Sequence, residues 1–343
     1  MSLKIAVLGT GANGSCIAAN LVNAGRDVTL IDQWPEHVET MRRDGLRITH
    51  ANAADGALHV PVRAFHLCDI ATFNEPFDVV LLAVKAYDTR WACELIKRHL
   101  APGGMLIGMQ NAMAADVIAD VVGAERTVGC VVELSSEMFT PGVVRRNTPP
   151  AKTWIGLGPL PGGSDSRLAE MQALLTPVGK VEIKPNILAA KWMKLVVNAM
   201  CLGPFAMVGM PLIDALKVPG MRDLIIEVGE EAMRVGHDLG HPVEPIFGLT
   251  EQELAGANRP AEKLFDTLAA HVGPGRSRNT VLQDLLKGRK SEVDMINGLV
   301  VEESERRGYA APANARIADI VRQIEAGTLK PDPANMAKAV NVS

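Results

Sequence analysis

Apolar residues recur along the 343-residue chain in two rhythms. Over the first half, short continuous apolar runs alternate with stretches in which they return every three or four residues. The runs at residues 3–8 and 27–31 predict strands, and the stretches at 12–24 and 35–44 predict helices. Residues 78–84 (DVVLLAV) and 105–109 (MLIGM) read as strands buried on both faces, each followed by polar residues and then a helical stretch. Less regular strands are expected at 127–134, 142–147 and 153–157. A loop at 159–164, a helix at 167–175 and an edge strand at 178–183 complete this half. Alternation of this kind predicts an α/β fold, a doubly wound parallel sheet with crossover helices. After Lys184-Pro185 the rhythm changes. From Asn186, which suits a helix N-cap, the remainder reads as helical with no convincing strand, and the tail after Pro331 is expected to be loosely held. The spacing therefore predicts two domains, 1–184 and 185–343, as the length alone suggests.

Between the first strand and first helix lies Gly9-x-Gly11-x-x-Gly14. In that setting the first glycine makes a tight turn, the second lets backbone approach a pyrophosphate, and the third lets helix pack on strand. Phosphates would then sit at the helix N-terminus, on the N–H groups around Ala12, Asn13 and Gly14. The second strand ends in Asp32, where an acidic side chain would accept from the 2′-hydroxyl of an adenine ribose. The 1–184 half thus reads as a Rossmann-type domain for a nicotinamide dinucleotide.

Composition narrows the class. Aromatics make up 4% of the chain, the net charge is −4, and no basic run occurs. Neither stacking platforms nor an electrostatic footprint for nucleic acid is present, so a small-molecule partner is expected. Cys16, Cys68, Cys93, Cys130 and Cys201 show no metal-ligand spacing and suit a reducing cytoplasm. No signal or transit segment is expected ahead of the first strand, and no metal cluster is expected. Residues 195–213 carry no charge, but Gly203-Pro204 and Gly209-x-Pro211 break them, so a buried helix is expected rather than a membrane span. The same stretch would supply an apolar patch for a homodimer.

Polar residues collect where chemistry would need them. Lys85 follows the strand at 78–84, and Gln110-Asn111 follows the strand at 105–109. Lys85 would serve either as a sheet-edge cap or in a ligand site at the strand ends, and Asn111 either as a turn former or as a ligand contact. In the helix opening at Asn186, residues Leu188, Trp192, Leu195, Val196 and Ala199 share one face at 100° per residue. Lys194 and Asn198 stack on another, which leaves Lys194 either exposed to solvent or, since the helix continues into the uncharged stretch, facing a cleft as a candidate acid. Nearer the C-terminus a helix at 279–288 ends at Gly288, and Glu292 opens the next, where a carboxylate also suits the helix dipole.

Taken together these motifs resemble the ketopantoate reductase (2-dehydropantoate 2-reductase) family over nearly the whole chain. They are the glycine turn, Val84-Lys85-Ala86-Tyr87, Gln110-Asn111, Lys194-Leu195-Val196-Val197-Asn198, Leu282-Gln283-Asp284, and Ser291-Glu292-Val293-Asp294-Met295-Ile296-Asn297-Gly298. The resemblance implies an NAD(P)H-binding Rossmann domain and an all-helical C-terminal domain of 6-phosphogluconate dehydrogenase-like architecture. It also implies reduction of a 2-oxo acid to a 2-hydroxy acid between them, the ketopantoate step of pantothenate biosynthesis. By position Lys194 matches the family's catalytic lysine and Glu292 its partner carboxylate. Lys85, Asn111 and Asn198 match residues around nicotinamide and substrate. Thr280 stands where a substrate-binding serine is usual.

Four positions depart from the family pattern. Ala112 replaces a glycine, and Leu202 and Leu212 replace polar residues, which points to a bulkier or more apolar carbonyl substrate. The family norm is NADPH with a basic residue near the end of the second strand. Asp32 argues for NADH, and Arg42 and Arg43 would compensate only by folding back. A two-domain dehydrogenase of opines, 3-hydroxy acids or another carbonyl compound, or a dinucleotide sensor without turnover, are the alternative readings.

Overall fold

The computed structural model describes residues 3–271 and 277–340. Two compact units divide the chain, Met1–Leu188 and Ala189–Ser343. The first contains, in order, β1 (Lys4–Leu8), α1 (Ala12–Asn23), β2 (Asp27–Asp32), α2 (Pro35–Asp44), β3 (Leu46–His50), β4 (Ala57–Val60), β5 (Arg63–His66) and β6 (Phe77–Leu82). It continues with α3 (Thr89–Ile96), β7 (Leu100–Gly108), α4 (Ala115–Val122), β8 (Thr127–Glu133), β9 (Ser136–Thr140), β10 (Val143–Arg146), β11 (Trp154–Pro159), α5 (Leu168–Leu175) and β12 (Lys180–Ile183).

An eight-stranded sheet in the order β12-β11-β8-β7-β6-β1-β2-β5 forms its centre. Alternate residues of each buried strand feed opposite faces. Ile5, Val7, Val79 and Leu81 join the core with α1 and α5, whereas Ala6, Leu8, Val80 and Leu82 join the core with α3 and α4. Burial on both faces is why these strands read as unbroken apolar runs. From β1 the chain proceeds outward to β2 and β5, then returns to β6 and runs the other way through β7 and β8. The topological switch point therefore lies between β1 and β6, where open α/β sheets bind ligands. The sheet departs from the all-parallel expectation at one edge, where β11 runs antiparallel to β8 and β12 follows β11.

A second sheet, β4-β3-β10-β9, covers α1 and was not foreseen. The stretch at 142–147 belongs to it, as β10. Its strands are short and give few inward apolar residues, among them Leu46, Ile48, Val60, Met138 and Val144. The inward position after Val144 is Arg146, which is 1% exposed and breaks the alternation. Burial holds its guanidinium below the usual arginine range. Three acceptors hold it in place: Thr148 O, Thr153 Oγ1 and Val178 O.

The second unit is helical among the described residues, apart from one bridge between Ile246 and Leu249. Its helices are α6 (Ile187–Cys201, which the unit division crosses), α7 (Gly203–Met207), α8 (Leu212–Ala215), α9 (Met221–Asp238) and α10 (Glu251–Ala255). They are followed by α11 (Pro260–His271), α12 (Thr280–Leu286), α13 (Val293–Arg306), α14 (Pro312–Glu325) and α15 (Met336–Ala339). Trp192 anchors α6 on α9, its indole N–H donating to Ala232 O at 3.0 Å. Gly236 permits this approach, since a Cβ there would stand 2.1 Å from the indole nitrogen. Much of the uncharged 195–213 stretch is consumed in this core, with residues 195–200 and 203–208 buried, while Gly209 is exposed and 210–213 are half-buried. The tail after Pro331 is better held than expected. Asn335 donates to Met207 O at 2.8 Å, Asp332 N donates to the same carbonyl, and Ala339 is fully buried.

Candidate active site

In the first unit the three glycines answer to three different constraints. Gly9 has φ +90°, and a Cβ there would lie 2.7 Å from Val84 N, so the turn fits only because β1 meets the end of β6 without a side chain. At Gly14 a Cβ would lie 2.1 Å from Gly9 O, which forces close contact of helix and turn. Gly11 is different: its φ is negative, −59°, and a Cβ there would meet no described protein atom within 4 Å. No packing contact among the described residues requires glycine at that position. A ligand lying against the backbone does, and no side chain caps the N-terminus of α1. The cradle therefore fits a dinucleotide pyrophosphate, with Ala12, Asn13 and Gly14 presenting the first N–H groups of the helix.

The surroundings of this loop are fixed by residues that the sequence reading passed over. His37 is fully buried in α2. Its Nδ1 accepts from Gly142 N at 2.9 Å, so its Nε2–H donates to Thr10 O at 2.8 Å. Ser15 Oγ donates to the same carbonyl, and Ser136 Oγ donates to Asn13 Oδ1 at 2.6 Å. Asp32 also serves the loop. Its Oδ2 accepts from Thr10 N and Thr10 Oγ1 at 2.6 and 3.0 Å, and its Oδ1 accepts from Trp34 N at 2.9 Å. Of four lone-pair sites on the carboxylate, one on Oδ1 is left for a further donor. Arg42 is occupied by Ala64 O, Glu39 and Asp69, and Arg43 by Asp44. Neither folds back toward Asp32.

Lys85 and Asn111 follow β6 and β7, and Gln110 joins them. Its Nε2 donates to Val84 O at 2.9 Å and to Thr89 Oγ1 at 2.9 Å, which ties the two strand ends together beside Gly9. Ala112 has φ +61°, a left-handed conformation that favours glycine, so the alanine here carries backbone strain.

In the helical unit α6 is buried on more than the expected stripe: Leu188 of that stripe is half-buried, whereas Lys191, Met193 and Val197 off it are buried. Trp192, Leu195, Val196 and Ala199 are buried in the core, Lys194 is half-buried, and Asn198, one turn on, is buried. The Lys194 ammonium lies over the ring of Phe247, 5.1 Å from its centroid. Burial pushes the nearby Cys201 thiol up to about 12, against the pull of the Lys194 charge. Two asparagines pin other helices to the end of α6. Asn279 donates to Cys201 O and Leu202 O, both at 3.0 Å, and caps α12 by accepting from Leu282 N at 2.8 Å. This fixes Thr280, whose Oγ1 is buried without a hydrogen-bond partner among the described residues. Asn297 of α13 donates to Ala199 O at 3.2 Å and to Asn314 Oδ1 at 2.9 Å. Glu292 stands buried at the N-cap of that helix. Asn279 was legible only as the first residue of an expected helix, and Asn297 only as part of a motif. Their reach to carbonyls some 80 to 100 residues away in the chain needed coordinates.

Comparison with known proteins agrees over both units. Residues 5–159 match the family described as ketopantoate reductase PanE/ApbA, and residues 186–325 match its C-terminal domain. A 2-dehydropantoate 2-reductase of Pyrococcus abyssi is 28% identical over 326 residues, covering 94% of this chain and 98% of that protein. A PanE/ApbA family ketopantoate reductase from Ralstonia eutropha superposes with a TM-score of 0.78 at 27% identity, covering 95% of this chain and 99% of that one. A D-mandelate dehydrogenase solved with NADH and anilino(oxo)acetate has the same fold, with a TM-score of 0.80 at 21% identity and coverage of 95% and 99%. Matched in both its nucleotide-binding and its helical unit, the chain belongs to the ketopantoate reductase family of NAD(P)-dependent oxidoreductases acting on CH–OH groups.

Proposed function

We propose that this protein reduces a 2-oxo acid to the 2-hydroxy acid, ketopantoate to pantoate or a close relative, with Lys194 as general acid. The observation that carries the reading is an ammonium held off the core of a buried helix, with Asn198 one turn along the same face. Thr280, with its unpartnered buried hydroxyl, supports it as a substrate contact. A bound reduced nicotinamide would supply the hydride. As the carbonyl oxygen gains negative charge, Lys194 both stabilises it and donates the proton that completes the alcohol. Glu292, a buried carboxylate, orients that ammonium, while Asn198 and Thr280 donate to the substrate's carboxylate. On the nucleotide side Gly9, Gly11, Ala12, Asn13 and Gly14 would hold the pyrophosphate, Asp32 the adenine ribose, and Lys85 and Asn111 the nicotinamide end. The assignment of NADH over NADPH rests on Asp32 and on the engagement of Arg42 and Arg43 elsewhere.

Replacing Lys194 with alanine is the direct test. The expected loss in kcat is on the order of 10²-fold or more, the range of a general acid, with the dissociation constant for reduced cofactor unchanged. Unaltered turnover would refute the role of Lys194. Absence of turnover by the wild-type protein across a panel of 2-oxo acids would refute the reaction itself.

A further inference from the structure

Besides glycines, two described residues have positive φ: Ala112 after β7, and Phe247. Strained backbone of this kind persists where the surrounding structure holds it, and it collects at functional sites. Phe247 occupies a tight turn closed by Ile246 N to Leu249 O at 3.2 Å and Leu249 N to Ile246 O at 3.0 Å. Its φ is +51° and that of Gly248 is +83°, the positive pair that marks a type I′ turn. The first corner of such a turn suits asparagine, aspartate or glycine, and a bulky aromatic there is out of place on backbone grounds. Ile246 and Leu249, each 7% exposed, anchor the turn from both sides. What the unfavourable choice brings is the ring itself, set over Lys194.

From this we infer that Phe247 is a specificity-determining residue, an aromatic wall beside the reacting carbonyl that favours 2-oxo acids with an apolar substituent. The inference rests on the reading of Lys194 as proton donor. A donor must come within about 3 Å of the oxygen it protonates. With the ring centroid 5.1 Å from the ammonium nitrogen, the centroid lies at most about 8 Å from that oxygen, a gap that a branched substituent on the next carbon would fill. Leu202, half-buried just past the end of α6, follows Asn198 by one turn, its N–H donating to Asn198 O at 2.8 Å, and is a further apolar residue at that end of the helix. A hydroxyl buried against such a wall loses its water without gaining a partner, which an apolar substituent does not suffer.

A matched pair of substrates isolates the effect: 3,3-dimethyl-2-oxobutanoate is ketopantoate without its 4-hydroxyl. The wild-type protein is expected to show the higher kcat/KM for the compound without the hydroxyl, and Phe247→Asn to lower the ratio of that value to the ketopantoate value at least about 10-fold. Phe247→Leu, which keeps an apolar wall, is expected to hold the ratio within about threefold. Asparagine suits the turn, so Phe247→Asn is expected to melt within about 5 °C of wild type. A ratio unchanged in Phe247→Asn, or both values falling alike, overturns the inference while leaving the reductase reading intact. A wild-type protein that reduces neither compound overturns the reductase reading before any variant is made.

Discussion

Gly11→Ala should separate nucleotide binding from folding. The added methyl group meets no protein atom within 4 Å, and the backbone already has φ −59°. Reduced freedom of the unfolded chain stabilises the variant by about 0.4–1 kcal/mol. Alanine is a poorer N-cap than glycine and removes a few tenths to about 1 kcal/mol. The two effects offset, so urea denaturation without cofactor is expected to give a stability within about 1 kcal/mol of wild type. Binding is another matter. The methyl occupies the space over the first N–H groups of α1, and a charge-assisted hydrogen bond contributes about 1.5–3 kcal/mol. Loss of one such bond weakens NADH affinity roughly 10- to 100-fold, readable by fluorescence titration. Gly14→Ala supplies the contrast. Its methyl would lie 2.1 Å from Gly9 O, and the backbone shift needed to relieve that costs about 1–3 kcal/mol or more. Equal destabilisation by the two substitutions, or wild-type NADH affinity in Gly11→Ala, would refute the assignment of Gly11 to the ligand.

Three further outcomes are expected. With one substrate, kcat/KM should favour NADH over NADPH by at least about 10-fold, the scale of an uncompensated charge repulsion at a 2′-phosphate; an NADPH advantage would show that Asp32 does not set the preference. Asn279→Ala removes a helix cap and two bonds to α6 carbonyls, so it should cost about 2–4 kcal/mol in urea denaturation and lower kcat. Among the five cysteines Cys68 is exposed, while burial pushes Cys16 up to about 11 and Cys93 and Cys201 up to about 12. At pH 8 a thiol near 12 is ionised on the order of 10⁻⁴ of the time. A disulfide-exchange reagent should therefore titrate Cys68 rapidly in the native protein, half-buried Cys201 slowly, and all five thiols in denaturant, and rapid reaction of Cys16, Cys93 or Cys130 would contradict their burial.

The elements most legible in the sequence were those with strong periodicity. The strands β1, β2, β6 and β7 are apolar on both faces, and α6 shows its core stripe at helical spacing. What escaped was the second sheet, because strands of four or five residues such as Leu46–His50 offer only two inward apolar positions, and β10 places a buried arginine at one of its own. The reversal of β11 was equally hidden, since strand direction depends on partners rather than on local pattern. The tail was misjudged because Asn335 and Asp332 look like ordinary turn residues until Met207 O is beside them. Of the candidate site, the residue types at strand ends and on α6 were readable. The ring over Lys194 was not, because Phe247 sits in a turn whose backbone argues against it.

The pairing of β3 with β10 bears on how this protein is made. Arg47 lies opposite Val143, and His50 opposite Arg146, in parallel register. A nascent chain leaving the ribosome carries its glycine turn out first, yet Gly9 cannot lodge against Val84 until β6 emerges. His37 must wait longer still, for the N–H of Gly142. Nucleotide capture is thus a late event in synthesis, and a chain stalled before residue 146 would expose α1 without the sheet that shelters it.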